Sequence, residues 1–108
     1  FPKVNEIPFD SNRKLMTTIH KVNNKYRIIT KGAPDVLIDR CTKFYNKGEH
    51  ETLGYSKINF LKNRNEELAN RALRVIAVAY LDLDILPKNL DDKLIENNLV
   101  FVRTYWYD

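Results

Sequence analysis

Apolar residues along this chain fall into short runs of two different periods, separated by polar clusters with turn chemistry. Phe1 to Phe9 reads as an extended lead-in, and Pro2 and Pro8 argue against a central place in a sheet because proline cannot donate to a ladder. Asp10-Ser11-Asn12 is a turn, since short polar side chains bond to nearby backbone. Leu15 to His20 alternates loosely and carries β-branched Thr17, Thr18 and Ile19, which predicts a strand. Asn23-Asn24 tolerate positive φ and close a hairpin into a second strand, Lys25 to Lys31. On that strand Tyr26, Ile28 and Thr30 share one face, and Arg27, Ile29 and Lys31 the other.

The period then changes. Val36, Leu37, Ile38 and Cys41 have helical spacing, predicting a helix from Ala33 to about Cys41 with Pro34 in its first turn. Thr42 to Tyr45 reads as a short strand and Asn46-Lys47-Gly48 as a turn. A longer helix is predicted from about Ser56, as N-cap, to Ala72. Ile58, Leu61, Leu68, Ala69 and Ala72 form its apolar stripe, and Lys62-Asn63-Arg64-Asn65 faces water. Leu73 to Leu81 is the strongest strand. It is apolar at both parities, which places it mid-sheet with helices over both faces. Pro87 ends the next loop, and Leu90, Leu94 and Ile95 mark a short helix with Asp91 and Asp92 near its positive end. Leu99 to Val102 is the last strand. The mixed order with at least one hairpin gives an α+β fold: a mainly antiparallel twisted sheet flanked by helices.

Composition narrows the field only a little. The 108 residues suffice for one domain with a single core. The longest apolar run, Val75 to Leu81, falls far short of the ~20 residues that span a bilayer. One cysteine excludes an internal disulfide and a Cys-rich zinc site. A net charge of +4 favours an anionic partner, and nucleic acid, a nucleotide or an acidic protein surface would each satisfy it.

Sets of catalytic residues are missing. His20 and His50 have no partner at metal-ligand spacing. Cys41 reads as a packed core thiol and Ser11 lacks a nucleophile-elbow setting. There is no Walker loop and no Gly-x-Gly-x-x-Gly. Binding groups are more plentiful. Lys31-Gly32-Ala33-Pro34-Asp35 sets a lysine at a strand end beside a glycine and a helix N-terminus, a place that suits an anion. On local physics alone, an ordinary solvated lysine at a strand-to-helix turn is the better account. Phe9 and Met16 offer apolar faces for a base, Lys14 and Lys31 ammonium groups, and Arg74 a guanidinium; core packing and solvation are the plainer alternatives.

Three segments change those odds. Phe9-Asp10-Ser11-Asn12-Arg13-Lys14-Leu15-Met16, Lys31-Gly32-Ala33-Pro34-Asp35 and Leu73-Arg74-Val75-Ile76-Ala77-Val78-Ala79-Tyr80 resemble, in order and rough spacing, the nucleotide-binding domain of P-type cation-transporting ATPases. The Ile38-Asp39-Arg40-Cys41 extension is most similar to the calcium-pump branch. The resemblance covers about Ile7 to Val102. It implies that Phe9 stacks on adenine, that Lys14 lies beside the base and phosphates, and that Met16 and Ile76 line the pocket wall. It also implies Lys31 at the inner end of the pocket, Gly32 where the nucleotide nears the backbone, and Arg74 reaching toward the phosphates. Lys31 then belongs near adenine instead of in a helix-end phosphate cradle.

The family's phosphoryl-accepting "D-K-T-G-T" segment, its membrane helices and an upstream acidic segment that contacts adenine do not occur here. The resemblance is therefore to a domain shortened at its N-terminus, residues 1–108 forming a single unit in which 103–108 is an atypical tail. What it implies is a cytoplasmic domain of an integral membrane protein that positions Mg-ATP for transfer to an aspartate on a separate domain. The cation would be calcium, and the phosphorylation and actuator domains of the parent pump would be its partners. In isolation the chain would be a monomer without hydrolytic activity, nucleic-acid partner or membrane contact. The alternatives are a small basic domain binding single-stranded nucleic acid through Phe9, Tyr26 and Trp106, and an interaction domain with a decayed nucleotide site.

Overall fold

A computed structural model describes residues 3–88 and 95–107. Its elements follow the order β1 (Lys3–Asp10), β2 (Leu15–Val22), β3 (Lys25–Gly32), α1 (Pro34–Ile38), β4 (Cys41–Asn46), β5 (Glu49–Thr52), α2 (Tyr55–Asn70), β6 (Arg74–Leu83) and β7 (Leu99–Tyr107). The strands form one seven-stranded sheet in the order β1-β2-β3-β6-β7-β4-β5. Every pairing is antiparallel except β4 with β7. An α+β fold with a mainly antiparallel sheet is what the sequence pattern predicts.

The hairpins form where the turn chemistry places them. Asn23 takes φ 57° and Val22 pairs with Lys25, closing β2 onto β3 through two residues. Asp10 accepts from the Asn12 amide at 2.7 Å in the first turn. β1 is an edge strand, so Pro8 costs no ladder bond on its outer side.

Side-chain parity divides the sheet into two unlike faces. Leu15, Thr17 and Ile19 on β2, Ile28 and Thr30 on β3, and Ala77 and Ala79 on β6 are buried. Leu15, Ala77 and Ala79 form one core cluster with Leu37, Ile38, Leu99 and Phe101, while Ile19 and Ile28 form a second with Ile95. Both helices lie against β6.

Five expectations need correction. β6 is central, but only one of its faces is sealed among the described residues: Ile76, Val78 and Tyr80 stay half-buried on the other. A continuous apolar run does not by itself distinguish a strand buried on both sides from one with an open apolar face. Helix α1 stops at Ile38, and Cys41 opens β4; its thiol donates to the Leu37 carbonyl at 3.2 Å in the core. Helix α2 begins at Tyr55 with Gly54 in the cap position, so Ser56 caps nothing. Its stripe is narrower than predicted, for Ala69 and Ala72 are exposed, while Lys62 reaches the Asp39 carboxylate at 2.9 Å and Asn65 is half-buried. The last strand runs on to Tyr107, laying the tail beside β6. Leu90, Asp91, Asp92 and Leu94 lie outside the described residues, and Ile95 is buried against Ile19 and Ile28.

Candidate functional site

The open face of the sheet collects most of the candidate residues. Register sets Met16 opposite Lys31, Lys31 opposite Val78, and Val78 opposite Arg103. At the β1 end, Ile7 pairs with Thr17 and Asp10 with Leu15, so Pro8 and Phe9 together face the single Met16 in a bulge. Phe9, Met16, Lys31, Val78 and Arg103 thus form one row across five strands. At ~4.8 Å per strand the row is about 19 Å long. Beside it on β6, Ile76 is opposite Tyr105 and Arg74 opposite Tyr107. Phe9 is 63% exposed, and Lys14, Lys31 and Arg74 are also exposed, with no ion-pair partner among the described residues. An aromatic side chain, apolar neighbours and unpaired cations therefore share one accessible surface.

Gly32 is required by the chain's own packing. Its φ is +156°, and a Cβ there would lie 2.2 Å from the Lys14 carbonyl oxygen and 2.9 Å from Leu15 Cδ2. The close approach is by the chain itself. The Ala33 amide donates to that same Lys14 carbonyl at 3.2 Å, and the Lys14 amide to the Asp10 carbonyl at 2.6 Å. Lys14, with φ 63°, is pinned by its backbone beside the end of β3. The amide of Ala33, which caps the five-residue helix α1, is thereby occupied, and Pro34 at the first helical position has no N–H, so neither can serve a helix-end phosphate cradle.

Farther along the same face is a shallow cavity of about 420 Å³ lined by Arg27, Ile29, Tyr45, Val78, Tyr80 and Val102. Arg27 is clamped to Asp82 through two nitrogens at 2.8 and 2.9 Å and lies 4.9 Å from the centre of the Tyr80 ring. That bond holds the Asp82 carboxyl below its ordinary value, while burial raises the Tyr80 phenol. His50 reaches Tyr80 Oη at 2.5 Å from the β4–β5 hairpin. These residues carry no motif; only cross-strand pairing brings them beside Lys31 and Val78. Arg13 is another residue whose place is invisible in the sequence: half-buried, it is paired with the fully buried Glu96. Tyr26 and Trp106, by contrast, do not join Phe9. Tyr26 packs at the Ile19–Ile28 cluster, and Trp106 pairs with Val75 on the parity opposite to Ile76.

Residues 1–104 match the family model for P-type ATPase, cytoplasmic domain N. The chain belongs to this family. A calcium-transporting ATPase of Listeria monocytogenes is 40% identical over 94% of the chain, and one of Bacillus cereus 36% identical over 93%. The human sodium/potassium-transporting ATPase subunit alpha-3 is 32% identical over 93%. The chain spans only 12%, 11% and 11% of these three proteins. The higher identity to calcium transporters agrees with the calcium branch indicated by Ile38-Asp39-Arg40-Cys41. In this domain N the matched region ends just before Tyr105, so the aromatic stretch facing Arg74 and Ile76 lies outside the family pattern.

Proposed function

We propose that this domain N binds Mg-ATP on the open face of its sheet and presents the γ-phosphoryl to an aspartate on another domain of a cation pump, with calcium as the transported ion. The observation that carries this reading is the row Phe9–Met16–Lys31–Val78, in which residues from separate sequence segments become lateral neighbours. Phe9 supplies a face for adenine, with Met16 and Ile76 as apolar wall. Stacking of this kind contributes about 1–3 kcal/mol per base. Lys31 sits beside that wall, while Lys14 and Arg74 offer charge to the phosphates. The role of Gly32 is to let the Lys14 segment close against β3.

Phosphoryl transfer depends mainly on positioning and charge neutralisation, both of which such a surface supplies. No group of three or more His, Cys, Asp or Glu among the described residues is arranged to hold a metal. Magnesium would therefore enter on the nucleotide. The phosphorylation and actuator domains of the parent pump would be its working partners.

Amide NMR titration of the 108-residue chain with Mg-ATP, Mg-GTP and a short single-stranded oligonucleotide tests the reading. Adenine-selective shifts are expected around Phe9, Lys31 and Arg74. Lys31→Glu reverses a charge within the site and should weaken binding by about tenfold or more. Shifts with the oligonucleotide and none with ATP would overturn the assignment.

A further inference from the structure

We propose that Glu96 is a positioning residue for this surface, acting through Arg13 on the bulge that carries Phe9. This rests on the nucleotide reading above. Glu96 is fully buried, and both of its carboxylate oxygens are occupied: Oε1 accepts from Arg13 Nε at 2.8 Å, and Oε2 accepts from the Thr17 hydroxyl. Thr17 is bonded in turn to Thr30 on β3 at 2.8 Å, so the carboxylate is tied to two strands of the sheet. Arg13 then reaches outward. Its Nη2 donates to the Pro8 carbonyl at 3.2 Å and to the Ile7 carbonyl at 3.5 Å.

Those carbonyls lie where the β1–β2 ladder is interrupted, between Ile7 and Asp10. β1 is an edge strand, exposed at nearly every position, so apolar burial does little to hold its end. The Arg13 fork substitutes for the missing ladder contact. Because Phe9 follows Pro8 and Lys14 follows Arg13, one buried carboxylate fixes both flanks of the turn. A buried ion pair is a weak source of net stability compared with apolar packing, but it defines a geometry. Here the geometry it defines is the distance between Phe9 and Lys31 across Met16.

The test is a double-mutant cycle on Mg-ATP affinity in the 108-residue chain, with thermal melting run beside it. Glu96→Gln keeps the side-chain size and removes the charge that orients Arg13. It should weaken Mg-ATP about tenfold, as expected for a displaced binding group. In a Phe9→Ala background the same substitution should cost almost nothing, because its effect is transmitted through Phe9. A general loss of stability would not show this dependence. Arg13→Lys keeps the charge facing Glu96 but loses the second nitrogen. It should reproduce the affinity loss, and it carries the test if Glu96→Gln does not fold. Unchanged affinity in the folded variants, or equal losses with and without Phe9, would overturn this inference alone. An unaltered chain that binds no adenine nucleotide overturns the nucleotide reading and this one with it.

Discussion

At the scale of single residues, Gly32 and Cys41 show how burial sets what a side chain is allowed to be. A methyl group on Gly32 would meet the Lys14 carbonyl at 2.2 Å, and a backbone oxygen bonded to Ala33 cannot swing aside as a flexible side chain could. Gly32→Ala should therefore cost about 1–3 kcal/mol, read as a lower urea midpoint, and should displace Lys14 from its place beside β3. Cys41 tests a charge in the core. Burial pushes its thiol from 9.0 up to about 12, so the neutral form persists in the folded chain where an unfolded chain would ionise. The unfolded state then binds fewer protons above pH 9, and stability should fall as pH rises from about 9 toward 12. Urea unfolding across that range should show the decline, and Cys41→Ala should remove the Cys41 share of it. The same buried thiol should resist alkylation until the chain unfolds.

At the scale of elements, local chemistry accounts for much of the fold, and its failures have identifiable causes. Helix α2 ends in a six-residue closure: the Leu73 amide bonds to the Leu68 carbonyl at 3.4 Å and the Ala72 amide to Ala69 at 3.0 Å. Ala72 takes φ 61° there, a conformation that glycine adopts without a Cβ penalty. Ala72→Gly should stabilise the chain by about 1 kcal/mol and raise the melting temperature by about 4–8 °C, since Ala72 is exposed and loses no packing. The sequence extends the helix through Ala72 because alanine is a strong helix former and nothing local announces the turn. β2 and β3 are legible in the sequence, having β-branched residues, one consistent apolar parity and Asn23-Asn24 between them. β5 is not, since Glu49-His50-Glu51-Thr52 is polar and exposed throughout; only its pairing with β4 makes it a strand. β6 is legible as a strand but not as one-sided, because Ile76, Val78 and Tyr80 are as apolar as Ala77 and Ala79.

At the scale of the molecule, the candidate site is a product of register, and register is only partly local. The two-residue turn fixes Val22 opposite Lys25 and, counting outward, Met16 opposite Lys31, so that pair follows from the sequence once the turn is recognised. The pairing of Lys31 with Val78 does not, because β3 and β6 are joined only after two helices and the β4–β5 hairpin have intervened. The same limit hides the tail. Tyr105-Trp106-Tyr107 lies beyond the residues matched to the family, yet Thr104 to Tyr107 pair with Ala77 to Arg74 and supply the ladder partner for two candidate nucleotide residues. Arg103 also lies 4.6 Å from the centre of the Tyr105 ring, its neighbour on the same face of β7. Ending the chain after Thr104 would leave Arg74, Val75 and Ile76 without β7, at the end of β6 where only half-buried or exposed side chains remain to hold them. The core around Leu15, Leu37, Ala79 and Phe101 lies elsewhere and would keep its packing. Such a chain should therefore melt only slightly lower, while amide exchange at Arg74–Ile76 rises by an order of magnitude or more and Mg-ATP binding weakens severalfold. Equal exchange at those amides in the two chains would mean that β6 holds its end without the tail, and that the aromatic stretch has no part in the site.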